Sequence, residues 1–180
     1  RDRPNGAIRI LDPSTGKDAL APPTPLSDRP IERLAFMNRS PALLVLDADG
    51  VLGHYDLTDS ARTGHPATGT DILSINVPVD RLWGITGGDL AALRLREGDE
   101  ATMLWVDVQR REVVGEVAGL PLSAAVDAES GLVMMPSRSS AVLECNPAGE
   151  ERRVLRALTD GEWITLSLIH ISEPTRLRRI

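Results

Sequence analysis

Short apolar runs separated by Gly, Pro, Asp and Asn recur from one end of the chain to the other, and the 3.6-residue spacing of an amphipathic helix is hard to find. The pattern predicts an all-β protein. Its clearest stretch is RLWGITGGDLAALRLREGDEATMLWVDVQRREVVGEV, residues 81–117, which divides into strands at Leu82–Thr86, Leu90–Leu95, Ala101–Asp107 and Glu112–Val117. Gly87-Gly88-Asp89 and Glu97-Gly98-Asp99 supply the positive φ that tight reversals need, and Gln109-Arg110-Arg111 is a polar reversal. Three hairpins in succession make a four-stranded meander. Such a sheet has two apolar faces and needs neighbours stacked on both.

The same unit is predicted on either side. Upstream, IERLAFMN, ALLVLDADG, VLGHYDL and DILSINV fill the four slots over residues 31–77, with a polar excursion from Thr58 to Thr70. Downstream, LSAAV, LVMMP, AVLEC and RRVLRAL fill them over 122–158. Residues 7–21 read as the last two strands of a preceding unit, and 162–165 as the first strand of a following one. Asp12, Asp56, Asp107 and Asn146 close the third strands at steps of 44, 51 and 39, and first-strand positions Leu34, Leu82, Ser123 and Trp163 step by 48, 41 and 40. Both series match the roughly 40–50 residues of a propeller blade.

RILDPSTGK (9–17), GHYDLTD (53–59) and LWVDVQRREVVGEV (104–117) each carry an apolar strand that closes on Asp before a hairpin. On these residues the chain resembles β-propellers of the WD40-like or YVTN-like bacterial kind over residues 7–165. The resemblance implies a partial propeller of four-stranded antiparallel blades, about three complete and two half. A closed ring has about four to eight blades, so the chain is expected to be a fragment. A β-sandwich is the rival architecture, because short strands at regular turn spacing describe one too.

LSLIHISEPTR, residues 166–176, closely resembles the translation of a transposon-end adapter used in preparing sequencing libraries. Residues 166–180 are therefore expected to be non-native and no part of the fold. An edge strand followed by a solvated terminus is the native alternative.

Composition narrows the function classes. An apolar share of 42% suits a packed core, and with only 3% aromatic residues that core must come from Leu, Val, Ile and Ala. The formal charge is −6, and since residues 166–180 contribute a net +2, the preceding chain carries −8. Without a basic stripe, a nucleic-acid partner is not expected. No apolar run reaches the roughly 18 residues of a membrane span. A lone Cys145 excludes an intrachain disulfide and a Cys-based zinc site, and it reads as a small core residue.

Individual motifs resolve into turns. Asp47-Ala48-Asp49-Gly50 opens like a calcium loop, but the apolar VLGHYD that follows makes it a hairpin turn. PSTGKD lacks both the earlier Gly and the Ser or Thr of a phosphate loop. His54 in a strand and His65 in a loop have no ligand-spaced partner, and Trp83 and Trp105 read as packing between blades.

The rim remains. In propellers, the connections between outer and next inner strands share one end with the turns between second and third strands. Here Arg29, Asp80, Arg81, Asp99 and Arg138 are the candidate partner-binding residues, and ordinary exposed loop charge is the bland alternative. The expectation is a non-catalytic scaffold with a protein partner and no cofactor or metal. Two alternatives remain: a propeller enzyme of lactonase, lyase or quinoprotein type, or an extracytoplasmic sensor. For the enzyme, inner-strand ends offer Met37, Asn38, Thr86 and Asp127. Of the cytoplasm and the cell exterior, the cytoplasm is the slightly favoured location.

Overall fold

The computed structural model describes residues 7–8, 11–17, 24–25, 29–37, 41–58, 68–86, 89–137, 141–157 and 163–167. It is all-β, with three antiparallel meanders that match propeller blades in strand order. The first comprises β3 (Ile31–Met37), β4 (Ala42–Asp47), β5 (Val51–Asp56) and β6 (Thr68–Ser74). The second comprises β7 (Val79–Ile85), β8 (Leu90–Glu97), β9 (Glu100–Asp107) and β10 (Glu112–Pro121). The third has five strands: β11 (Ala125–Val126), β12 (Val133–Pro136), β13 (Ala141–Cys145), β14 (Glu151–Ala157) and β15 (Trp163–Ser167). A short pair, β1 (Ala7–Ile8) with β2 (Thr24–Pro25), precedes them.

The sheets stack face to face because alternate residues of each strand serve opposite neighbours. Ala42, Leu44 and Leu46 of β4 meet Ala91, Leu93 and Leu95 of β8 in one core. Ala92 and the β9 residues Met103 and Trp105 turn the other way, to Val126, Val133 and Cys145 of the third sheet. Trp105 is fully buried and its indole Nε1 donates to the Gly131 carbonyl at 2.9 Å. The middle sheet thus buries both faces, which a two-sheet sandwich would not do. β3 packs on β7, and Gly84 permits the approach: a Cβ there would lie 2.3 Å from the Phe36 carbonyl oxygen. On the far face of the first sheet Leu43 and Val45 are buried, while Leu34 and Phe36 on β3 stay exposed.

Strand ends share one device. Asp12, Asp47, Asp56, Asp107, Asp127 and Asn146 each accept a hydrogen bond through a side-chain oxygen from the backbone N–H two residues on. This local ring fixes the reversal without any distant partner. Four of the six are the closing residues whose spacing set the period. The Asp47–Gly50 segment is the hairpin turn its sequence predicts, with Gly50 at φ +77.

Two pairings and one strand boundary differ from the sequence expectation. Trp163–Ser167 does not open a separate unit but pairs with β14 as a fifth strand, with Ala157 opposite Trp163 and Val154 opposite Leu166. A strand pairs with whichever edge is open, and local sequence does not encode that choice. This strand also carries Leu166 and Ser167 of the segment assigned to the adapter-like tail, whose residues 168–180 lie outside the described residues. At the other end Ala7–Ile8 pairs with Thr24–Pro25, residues read from sequence as loop. β7 begins at Val79, three residues before the expected Leu82.

Candidate functional site

Antiparallel meanders place the β4–β5 and β8–β9 turns and the β6–β7 and β10–β11 connections at one end of the stack. Four of the five candidate rim residues lie there, and Arg138 lies outside the described residues. Arg29 holds the β4–β5 turn, its Nε 2.9 Å from Asp49 Oδ2 and its Nη1 3.5 Å from Asp47 Oδ2. Arg81 and Asp99 are exposed, and among the described residues no ion pair joins them.

Asp80 has an internal role. Arg94, 8% exposed, donates from Nε and Nη2 to the two Asp80 oxygens at 2.8 Å each, and from Nη1 to the carbonyls of Leu122 and Ala124 at 2.6 and 2.7 Å. The side-chain hydrogen bonds from Arg94 hold the Asp80 carboxyl below its usual range. One guanidinium thereby binds the start of β7, the middle of β8 and the chain entering the third sheet.

A bulge creates this arrangement, and it occurs twice. Val79 pairs with Leu95 and Arg81 with Arg94, so Asp80 is the extra residue; Ile31 pairs with Asp47 and Arg33 with Leu46, so Glu32 is its counterpart. The sequence carried the signal as Pro30-Ile31-Glu32-Arg33-Leu34 and Pro78-Val79-Asp80-Arg81-Leu82, a five-residue echo that strand periodicity does not detect. In the first sheet, however, Leu46 stands across from the bulge where Arg94 stands in the second. Among the described residues no hydrogen bond or ion pair engages the Glu32 carboxylate.

A cavity of about 410 Å³ opens here between the first and second sheets. Leu46, Val77 and Pro78 give it apolar walls, and Glu32, Asp49 and Asn76 give it polar ones. Two of its wall residues, Glu32 and Leu46, stand at the ladder positions of Asp80 and Arg94, and beside it Arg33 Nε donates to the Asp80 carbonyl at 3.2 Å. Sequence reading reached Asp49 at this end but not Glu32, which stood in a strand pattern.

A smaller cavity of about 270 Å³ lies at the opposite end, lined by His54, Asp56, Thr70 and Arg111 among others. His54 precedes Asp56 by two residues, as Trp105 precedes Asp107, so the smaller ring leaves space where the indole fills it. Arg111 is the one non-glycine with positive φ among the described residues, at +59, in the turn slot that Gly16 and Gly131 occupy elsewhere. The Asp56 carboxyl is lowered chiefly by its hydrogen bonds from Thr58.

The residues at inner-strand ends are engaged or buried. Met37 is core, and the Asp127 carboxylate accepts from the N–H groups of Glu129 and Ser130 and from the Ser130 hydroxyl. Asn38 and His65 lie outside the described residues. Cys145 is buried, and that burial, with Glu151 nearby, pushes its thiol pKa up, away from nucleophilic use. Among the described residues no group of His, Cys, Asp and Glu is arranged to hold a metal ion, and no helix is long and apolar enough to cross a membrane. No protein-family model matches the chain, and no curated protein is significantly similar to it.

Proposed function

We propose that the protein is a non-catalytic interaction module, a scaffold of the WD40-like or YVTN-like propeller kind that takes a protein partner at one end of its stacked sheets. The observation that carries this reading is the cavity bounded by Glu32, Asp49, Asn76, Leu46, Val77 and Pro78. The faces between stacked sheets are closed to another molecule, whereas this end gives access and combines apolar walls with hydrogen-bonding groups. Paired elements hold the walls: β3, β4, the Asp47–Gly50 turn and the β6–β7 connection, whose Ile75 N–H donates to the Gly50 carbonyl at 2.8 Å. Selection from a library of displayed random 12-residue peptides tests the reading. Enriched peptides are expected to protect the amides of Asp49–Val51 and Ile75–Val79 from hydrogen exchange. No enrichment, or protection confined to other segments, overturns it.

A further inference from the structure

The two gaps between sheets are built on the same plan, and one of them shows what the plan accommodates. In the gap between the second and third sheets, the bulge carboxylate of Asp80 receives a guanidinium in bidentate geometry. That group also satisfies the carbonyls of Leu122 and Ala124 on the entering chain. In the gap between the first and second sheets, the bulge carboxylate is Glu32 and the residue across the ladder is Leu46. The entering chain is Val77–Val79, and beside these residues lies the 410 Å³ cavity. Asp49 on the same wall is already paired with Arg29 at 2.9 Å, so Glu32 is the carboxylate of this wall left for an incoming cation among the described residues.

Resting on the interaction reading above, we infer that the cavity receives an arginine side chain of the partner, which lies as Arg94 does in the neighbouring gap and pairs with Glu32. The aliphatic stem of an arginine suits the Leu46 and Pro78 walls, while its planar fork matches a carboxylate and backbone carbonyls together. Lysine offers a point charge without the fork and is the weaker occupant.

The peptides enriched by display are the probe. They are expected to share an arginine, and replacing it with citrulline, which keeps the shape and removes the charge, weakens binding at least tenfold. Glu32→Gln is expected to weaken binding of the arginine peptides by a similar factor and to leave the citrulline peptides unchanged. Leu46→Arg supplies the missing guanidinium from within the chain and is expected to abolish binding by occupying the cavity. Should that variant fail to fold, Glu32→Gln decides. Peptides that protect Ile75–Val79 but carry no shared cation, or that ignore Glu32→Gln, overturn the arginine assignment and leave the interaction reading standing. Absence of any binding peptide overturns both.

Discussion

Glu32 and Asp80 occupy equivalent bulges, and what separates them is the residue across the ladder: Leu46 for one, Arg94 for the other. The Asp80–Arg94 pair is the polar tie of the second gap, with the Arg94 and Asp80 side chains 10% and 28% exposed. Asp80→Asn leaves a largely buried guanidinium without its counter-charge and is expected to cost about 2–3 kcal/mol at pH 7, less than a fully buried pair because Asp80 still reaches solvent. Arg94 holds the Asp80 carboxyl below its ordinary value of 3.8. The difference between wild type and variant is therefore complete above that pH and disappears as pH falls through the lower folded value. Urea denaturation of both proteins at neutral and acid pH measures it; a difference that persists undiminished in acid would assign the cost to something other than this pair. Asp80 was legible as a residue of this end but its pairing was not, since Arg94 in LRLRE reads as the exposed half of an alternating strand. Alternation sorts residues between two faces, but it does not say whether the second face meets water or another sheet.

At the scale of the element, hairpins were the legible part. The strands predicted at Leu90–Leu95, Ala101–Asp107 and Glu112–Val117 correspond to β8, β9 and β10 with small extensions, because apolar runs and turn residues both act locally. Long-range choices were not legible: β15 joining β14, β1 joining β2, and the close seat of β7 on β3. Gly84 makes that last contact sterically testable. Gly84→Ala places a methyl against the Phe36 carbonyl and forces the two strands apart, at an expected cost of about 1–3 kcal/mol. The thermal midpoint measures it, and an unchanged midpoint would show that the strands do not meet this closely. Phe36, across the contact, presents its side chain to the far face of the first sheet, where sequence reading had expected a preceding unit.

For the whole molecule, the middle sheet is the element that cannot stand alone. Its two faces contribute to separate cores, one shared with the first sheet and one with the third. A peptide of residues 79–121 is therefore expected to be unfolded in water, with circular dichroism lacking strand signal, whereas the full chain gives a cooperative transition. An independently folded peptide would remove stacking as the source of stability. Cohesion thus comes from neighbours, but the reversals do not: each of the six described strand ends closed by Asp or Asn draws its hydrogen bond from a residue two positions away. During synthesis, a turn of this chain can form and reopen on the microsecond scale as soon as its own residues leave the ribosome, long before the next sheet has been translated. The nascent chain accordingly emerges with its turns sampled but its strands unsettled, and the slow part of its maturation is the wait for the following sheet against which they become stable.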